Sequence, residues 1–516
     1  MGSARRADRI AVARIDRNAH GRAGIRKAAH EIQSVGSDPD RTGRHHAGNR
    51  ECRGVPGVRQ GILHFGHRHS GRWRPDRDFA TWRQGVNPAA GAEQVADPSG
   101  LLPSRNRRLV VLALTTLVYF FYLLDRNAII VTQELFKAEF GLTDTQVGLA
   151  TGILYGVAYA VVGIPIGWMI QRTHRVRLLA SLVAIWSGVT VLCGMATQFW
   201  HLAAARVLVG AAESGGAPVS LSILHPLFGK EKRATVSSLF FAGAGLGVIV
   251  SFMAGGYIAT QYGWRSVFFI YGAPGLVLAL AILLIIPEPP RATVPQHEGG
   301  GMMRDVLAVL KDRRLRPVYA GSILFSSVNA GIGAWLVSFL MRVHELTLPQ
   351  AGAAVALGLG VFGTAGSLTL GVIADKAEAR RPGGLLLVIA LCAVANGLAA
   401  IAAVTAGTTL AAMIALSVWG ITAIAYSGPS NAAIGEMAPP HLTGVAFSLF
   451  AVLCNLIGSG LGPLLVGRIS DIYLPTMGSD SLRPAMATLA GLQVFAAAAY
   501  LVAMGRWRRS VIEKSI

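Results

Sequence analysis

The sequence predicts an all-α, polytopic membrane protein with twelve transmembrane helices. Three observations lead to this fold class: 52% of the 516 residues are apolar, only 14% are charged, and long apolar stretches recur from residue 108 onward. Soluble domains carry roughly 25% charged residues, so this composition excludes an ordinary cytosolic enzyme. A helix needs about twenty apolar residues to cross the hydrocarbon core of a bilayer, and the stretches have that length.

Short polar breaks separate these apolar stretches, and the length and periodicity of the stretches favour helices over strands. The twelve predicted spans cover 108–132, 145–170, 178–197, 200–225, 234–260, 264–287, 317–341, 349–373, 384–404, 408–433, 442–468 and 485–505. The predicted organisation is an N-terminal tract (1–105), a six-helix bundle (106–287), a cytoplasmic linker (288–316), a second six-helix bundle (317–505) and a cytoplasmic tail (506–516).

The N-terminal tract over 1–105 is rich in arginine and has no sustained apolar periodicity, so we interpret it as disordered. Our preferred hypothesis is that most of it is the product of a misassigned start, with Val86 as a candidate for the first native residue. The alternative is an arginine-rich segment that folds onto RNA.

The orientation follows from the distribution of Lys and Arg between alternate loops. With both termini in the cytoplasm, the cytoplasmic flanks and loops carry 22 Lys and Arg residues and the opposite side carries 5. Positive charge concentrates on the cytoplasmic side of membrane proteins, which supports this orientation in a bacterial inner membrane. Because this asymmetry accounts for most of the net charge of +20, we expect no nucleic-acid partner.

The two predicted bundles repeat one loop motif at an offset of 204 residues. The repeat indicates two homologous, pseudo-symmetric six-helix halves, the architecture on which alternating access is built. The predicted conformational loop signature consists of Gly167, Gln171 and Arg172 in the first half and Gly371, Asp375, Lys376 and Arg381 in the second.

These motifs resemble the major facilitator superfamily, whose loop signature reads G-x-x-x-D-R/K-x-x-R-R, and more narrowly its Spinster-like branch. Gln171 departs from the signature, because the family usually has Asp at that position. Some of the motifs also occur in anion:cation symporters of sugar acids and aromatic carboxylates. The segments that carry the resemblance include Tyr119 to Arg126, Leu142 to Leu149, Gly163 to Gly167, Arg206 with Gly210 to Glu213, Gly263 to Arg265, Tyr271 to Gly275 and Asn455 to Pro463.

Four charged residues lie within predicted spans and away from the span ends: Asp125, Arg126, Arg206 and Glu213. A charge at the bilayer centre costs about 2.5–3.5 kcal/mol on insertion scales, so such residues are functional candidates. Arg206 and Glu213 are two helical turns apart and share one face. We interpret the four as a proton relay and gate with Asp125 as the principal titrating site, and the resemblance implies the same roles. The alternative is a structural ion-pair cluster that joins helix one to helix four.

A substrate cavity between the halves would have one charged wall and one aromatic or apolar wall. That asymmetry suits an amphiphilic or lipid-like organic anion, although each of the wall residues also fits ordinary packing or interhelical hydrogen bonding. The predicted cavity residues are Tyr119, Tyr122, Tyr155 and Tyr159 in the first half and Asn329, Trp335, Trp419, Tyr426, Ser427, Ser430, Asn431 and Asn455 in the second.

We therefore expect a proton-coupled secondary transporter, not an enzyme, that acts as a monomer among membrane lipids. The alternatives are an anion:cation symporter of small carboxylates or sugar acids, an uncoupled facilitator, and a non-transporting sensor or scaffold. The sequence has no Walker A, H-E-x-x-H or G-x-S-x-G motif and no metal-ligand spacing among its four cysteines. We expect no cofactor and no metal site.

Overall fold

The computed structural model describes residues 104–228, 230–289, 302–439 and 441–515. Apart from its last two residues, the predicted N-terminal tract 1–105 lies outside this part of the chain. Every regular element within the described ranges is a helix, and the predicted all-α membrane fold is confirmed.

Helices long and apolar enough to cross a membrane account for most of the described chain. The last helical stretch, Thr443–Ser510, has 68 residues. This corresponds to about 100 Å of helix, which is enough for two crossings of the membrane. The chain reverses within this stretch at Gly478–Ser481. The membrane helices are α1 (Arg105–Phe140), α2 (Asp144–Arg172), α3 (Arg175–Cys193), α4 (Phe199–Leu227), α5 (Arg233–Tyr262), α6 (Trp264–Ile285), α7 (Leu315–His344), α8 (Leu348–Arg380), α9 (Gly384–Thr405), α10 (Thr409–Met437), α11 (Thr443–Leu453, Cys454–Ser459 and Gly460–Met477) and α12 (Leu482–Gly491 and Gln493–Ser515).

Three apolar cores organise the bundle. One contains buried residues of α1–α6 only, such as Trp186, and a second contains residues of α7–α12 and of the linker helix Met302–Lys311, such as Phe325. The third core contains residues of both halves, including Phe136 of α1 and Phe339 of α7. The halves therefore share a core at the end where α1 and α7 terminate, which we call the closed end. At the opposite end, where α2 meets α3 and α8 meets α9, each half has its own core.

Glycines allow the two halves to approach backbone to backbone. A Cβ atom added to Gly148 of α2 would lie 2.5 Å from the carbonyl oxygen of Pro463 and 2.9 Å from Cα of Leu464, both in α11. A Cβ atom on Gly256 of α5 would lie 2.9 Å from the carbonyl oxygen of Leu348 at the start of α8. Small residues at such contacts are how membrane helices pack closely, because lipid gives no hydrophobic drive for association between helices.

Three of the helices at this interface contain a π-helical turn. These turns are Leu149–Ile153 in α2, Ala356–Phe362 in α8 and Cys454–Ser459 in α11. A π-helical turn breaks the regular hydrogen-bond ladder and often lies at a functional position. In this protein the irregular turns lie where the two halves meet.

We expect Gly148→Val to destabilise the closed end, because the atoms that its side chain would meet belong to the backbone of α11 and cannot rotate away. Overpacking of this kind costs about 1–3 kcal/mol. The apparent melting temperature of the purified protein should fall by a few degrees. Gly444→Ala in α11 is the control, because its Cβ atom would meet nothing within 4 Å. Equal melting temperatures for the two variants would contradict the prediction.

Candidate functional site

The four charged residues predicted inside the membrane lie in the interior of the first half. Asp125 of α1 and Glu213 of α4 are both 0% exposed, and Arg206 of α4 is 2% exposed. Arg126, the next residue of α1, is half-buried. Since burying a charge is costly, three such side chains at the centre of a membrane protein indicate a role beyond packing.

The four charges form no direct ion pair with one another in the described part of the chain, where every pair within 4.0 Å lies elsewhere. Tyr155 of α2 lies between them instead. Its hydroxyl donates a hydrogen bond to Oε2 of Glu213 at 2.7 Å. The guanidinium carbons of Arg126 and Arg206 lie 4.7 and 5.2 Å from the centre of its ring. Tyr155 therefore links α1, α2 and α4.

A second tyrosine extends this network toward Arg126. Nη1 of Arg126 donates to the Tyr122 hydroxyl at 3.0 Å, and the hydroxyls of Tyr122 and Tyr155 are 3.3 Å apart. Polar contacts thus run from Arg126 through Tyr122 and Tyr155 to Glu213. These contacts connect the buried acid Glu213 to the half-buried guanidinium of Arg126.

Several polar atoms of the cluster have no hydrogen-bond partner among the residues that the structure describes. They are both carboxyl oxygens of Asp125, Oε1 of Glu213 and Nε of Arg206. Buried polar groups are usually satisfied, and an unsatisfied carboxylate is especially costly. Binding a proton would relieve this cost for a buried carboxyl group.

The predicted tyrosines of the first half lie together with the charges. Tyr119 stacks on Tyr122 with ring centres 5.2 Å apart, and Tyr159 lies 5.9 Å from Tyr155. Tyr122 and Tyr155 are buried, whereas Tyr119 and Tyr159 are half-buried. The two half-buried rings give this wall an accessible aromatic surface beside Arg126.

The two predicted tryptophans of the second half are fully buried and contribute to the apolar core. Trp335 and Trp419 are both 0% exposed, and the Trp335 indole N–H donates to the carbonyl oxygen of Pro463 at 2.9 Å. Their positions are those of packing residues rather than of an accessible wall.

The remaining predicted residues of the second half divide into buried and half-buried positions. Ser430 is buried, with its hydroxyl 3.1 Å from that of Tyr500. Tyr426 is half-buried and stacks on Phe325 at 4.7 Å. Asn329, Ser427, Asn431 and Asn455 are also half-buried.

The second half also contains a network of side-chain amides that was not predicted from the sequence. Nδ2 of Asn396 donates to Oδ1 of Asn329 at 3.2 Å and to the Thr422 hydroxyl at 3.0 Å, and Nε2 of Gln493 donates to Oδ1 of Asn396 at 2.8 Å. Asn396 and Gln493 are uncharged residues within apolar spans, and they carry no sequence signal that separates a network from isolated polar positions.

The closed end contains an ionic network that the sequence analysis treated only as loop charge. Arg342 of α7 donates to both oxygens of Asp144 in α2, at 2.8 and 2.9 Å, and to both oxygens of Glu134 in α1, at 3.0 and 2.7 Å. Lys137 of α1 also binds Asp144. These bonds join the first half to the second.

The start of α2 strengthens the same connection. The carboxylate of Asp471 in α11 accepts hydrogen bonds from the backbone N–H groups of Asp144 and Thr145 at 2.9 and 2.8 Å. The Ser470 hydroxyl donates to Oδ2 of Asp144 at 2.7 Å. A carboxylate at a helix N-terminus is favourable because it satisfies free N–H groups and complements the helix dipole. The second half thus caps a helix of the first.

The predicted loop signature lies at the opposite end. Gln171, Arg172, Asp375, Lys376 and Arg381 are all exposed. Asp375 forms no ion pair within the described ranges. A Cβ atom on either glycine of the signature, Gly167 or Gly371, would meet nothing within 4 Å. The charged and polar residues of the signature thus lie on the exposed surface of this end.

Two glutamates outside the signature cap helices at that end. Glu288 accepts from the backbone N–H groups of Arg175 and Val176 at the start of α3. Glu378 accepts in the same way from Gly383 and Leu385 at the start of α9. Neither was predicted, because a glutamate beside a basic loop does not reveal which helix end it caps.

Two six-helix halves, charges buried between helices and one end at which the halves are joined are the features of a membrane transporter. Residues 115–463 match the family model of the Major Facilitator Superfamily, and the chain belongs to this family. The family consists of transporters rather than enzymes, so the predicted class of protein is confirmed.

Relatives of this chain are transporters of several kinds. It is 28% identical over 396 residues to an MFS-type efflux pump of Mycolicibacterium smegmatis, covering 76% of this chain and 91% of the pump. It is 23% identical to a probable galactarate/D-glucarate transporter of Bacillus subtilis, covering 76% and 90%. The structure is also similar to a crystal structure of a bacterial homologue of the human lysosomal transporter Spinster, in an inward-facing and unoccupied conformation. The TM-score is 0.70 and the sequence identity 26%, and the match covers 79% of this chain and 99% of that one. The predicted resemblance to Spinster-type proteins is confirmed.

Proposed function

We propose that this protein is a proton-coupled secondary transporter that moves an amphiphilic or lipid-like organic anion by alternating access. One observation carries the proposal: Asp125 and Glu213 are fully buried acids from different helices, and neither forms an ion pair with any residue that the structure describes. A buried carboxyl without a counter-ion is more stable when neutral, so such a site favours binding a proton. A structural ion-pair cluster would bring the opposite charges into contact.

Protonation would change the forces on the helices that hold the site. Glu213 is bound by Tyr155, which also lies against both guanidiniums. Removing the negative charge of Glu213 weakens its attraction for Arg126 and Arg206. Because Arg126 belongs to α1 and Arg206 to α4, the change alters how these two helices are held together. Proton uptake is thereby coupled to helix movement.

The substrate class follows from the contrast between the two walls. Arg126 is half-buried and has no carboxylate partner among the described residues, so it can bind an anionic group. In the second half, the half-buried ring of Tyr426 is an aromatic surface that stacks on the buried Phe325. A charged head group with an apolar body fits both walls.

Transport of a small sugar acid is the second candidate. Two sugar-acid transporters are similar to this chain over most of their length. One is the B. subtilis protein described above. The other is a probable galactarate/D-glucarate transporter of Escherichia coli, which is 24% identical over 399 residues. In this case Arg126 would bind the carboxylate, and the half-buried amides of Asn431 and Asn455 would bind hydroxyl groups.

We further propose that the protein lies in a bacterial inner membrane as a monomer with both termini in the cytoplasm. The charge asymmetry of 22 Lys and Arg against 5 supports this orientation. The closed end, with Asp144 and Arg342, then faces away from the cytoplasm. The conformation described here is in that case inward-open.

A stability screen distinguishes the two substrate classes. Lysophosphatidylglycerol, D-glucarate and benzoate are each added to the purified protein, and the apparent melting temperature is measured. We expect lysophosphatidylglycerol to raise it, because a ligand that binds only the folded state stabilises that state by mass action. The rise should be lost in Arg126→Gln and kept in Arg172→Gln. The exposed guanidinium of Arg172 stacks on Trp168 at the end opposite the closed end. Stabilisation by D-glucarate alone would favour the sugar-acid candidate.

A further inference from the structure

The environment of Asp125 includes a hydroxyl that the proposed mechanism has not used. Thr190 of α3 is 1% exposed, and its side chain interacts with the Asp125 carboxyl. The hydroxyl oxygen nevertheless has no partner that meets hydrogen-bond geometry, and neither does either oxygen of Asp125. A donor and an acceptor thus lie near each other, both buried and both unsatisfied.

Thr190 is unusual among the threonines of the membrane helices. Thr115 and Thr132 of α1 donate to carbonyl oxygens four residues earlier in their own helix, at 2.8 and 2.7 Å. This local bond is the usual solution for a hydroxyl inside a helix. The Thr190 hydroxyl makes no such bond. It is therefore available to a neighbouring helix, and the neighbouring acceptor is Asp125.

The corresponding helices of the second half show a completed version of this arrangement. Asn329 of α7 lies 204 residues after Asp125, the same offset as the repeated loop. Its side-chain oxygen accepts a hydrogen bond from Asn396 of α9, which is the counterpart of α3. Helices α7 and α9 are thus joined by a hydrogen bond between two side-chain amides, which do not ionise. In the first half, the corresponding helices α1 and α3 carry an ionisable acid, Asp125, and a hydroxyl, Thr190.

We infer that Thr190 is a positioning residue for proton coupling, which donates a hydrogen bond to Asp125 when that carboxyl is ionised and releases it when the carboxyl is protonated. The inference rests on the proposed function, in which Asp125 binds the proton. A donor to the charged form stabilises that form, so Thr190 sets the pH at which Asp125 gives up its proton. It also ties α3 to α1 in only one of the two protonation states.

Other groups act on Asp125 from each helix packed around it. Arg206 and Glu213 face it from α4, Cys193 from α3 and Tyr271 from α6. From α5, the Ser251 hydroxyl lies 3.5 Å from the carbonyl oxygen of Leu124. These groups remain in place when Thr190 alone is changed. A shift in the titration of Asp125 on that change therefore reports the hydroxyl.

Infrared difference spectroscopy of the full chain in proteoliposomes tests the inference without a substrate. The carbonyl stretch of protonated carboxyl groups is recorded as a function of pH, and the band that disappears in Asp125→Asn belongs to Asp125. In Thr190→Val we expect the midpoint of that band to rise by about one pH unit, a tenfold change in proton affinity, because the charged form has lost its donor. Thr190→Ser should restore the parental midpoint.

Thr132→Val is the matched control, because Thr132 is an equally buried threonine whose hydroxyl is satisfied within α1. Its midpoint should equal that of the parent. Thr190→Ala serves the same purpose as Thr190→Val if the valine variant fails to fold. An unchanged midpoint in the Thr190 variants, with an intact Asp125 band, overturns the inference and leaves the proposed function standing. The absence of any Asp125 band in the parent overturns the assignment of the proton to Asp125 itself.

Discussion

Asp125→Asn should abolish transport driven by a pH gradient while leaving exchange of substrate across the membrane measurable. The amide has nearly the same shape as the carboxyl but cannot bind or release a proton. The side chain is 0% exposed and has no hydrogen-bond partner in the described part of the chain, so the substitution breaks no bond seen there. Proteoliposomes containing the ligand identified by the stability screen provide the measurement, with accumulation under an imposed pH gradient compared with counterflow at equal pH.

Glu139→Gln is the control for this experiment. Glu139 is an acid of the same helix, but it lies exposed at the closed end and pairs with Arg265 at 2.6 Å. Its replacement should leave gradient-driven accumulation unchanged. If Asp125→Asn accumulates ligand as the parent does, Asp125 is not the coupling site and Glu213 becomes the acid to test. If replacing Asp125 and replacing Glu213 both leave gradient-driven accumulation unchanged, the protein is an uncoupled facilitator.

The fold was predictable because its cause is a simple solvent constraint. A backbone that crosses lipid must satisfy its own hydrogen bonds, so each apolar stretch of sufficient length forms a helix. The predicted span 349–373 corresponds to Leu348–Arg380 and the predicted span 384–404 to Gly384–Thr405. The π-helical turn Cys454–Ser459 was not predictable, since it reflects how α11 meets the other half rather than any local preference.

The candidate site was predictable where charge conflicts with its surroundings. Asp125, Arg206 and Glu213 stand out because each interrupts an apolar stretch. The role of Tyr155 as a bridge was not deducible, because an aromatic residue at helical spacing also fits simple packing. Its position depends on the distance between α2 and α4, which is a tertiary quantity. Sequence reasoning grouped these charges as a proton relay, with an ion-pair cluster as the alternative, and neither interpretation included the tyrosine that lies between them in the structure.

The closed-end network was missed for a different reason. Arg342 and Asp144 lie at helix ends, where charged residues are common and carry no energetic signal. Their bond connects positions 198 residues apart, and nothing in either local sequence specifies the partner. Asp471 likewise caps α2 across more than 300 residues. Interactions of this kind follow from the packing of the two halves and have no periodic pattern of their own.

Arg342→Gln should shift the protein strongly away from the closed-end conformation. Among the described residues, Arg342 is the one cation that pairs with both Asp144 and Glu134, and its side chain is 13% exposed. Removing one partner of a buried, hydrogen-bonded ion pair costs about 2–5 kcal/mol. Every 1.4 kcal/mol is tenfold in an equilibrium, so the ratio of conformations should change by roughly 30-fold or more. The residual attraction between Lys137 and Asp144 lies within the first half and cannot replace it.

Pulsed electron paramagnetic resonance measures this shift with nitroxide labels at Thr143 and Thr476, two exposed positions at the closed end on opposite halves. Cys193, Cys392 and Cys454 are buried, and a labelled parent without the introduced cysteines gives the background. The Arg342→Gln sample should show a new, longer distance. Arg265→Gln is the matched control, because that arginine pairs with Glu139 inside the first half and its loss leaves the contact between the halves intact. Identical distance distributions for Arg342→Gln and the parent would mean that glycine packing between α2 and α11, rather than the ionic network, keeps this end closed.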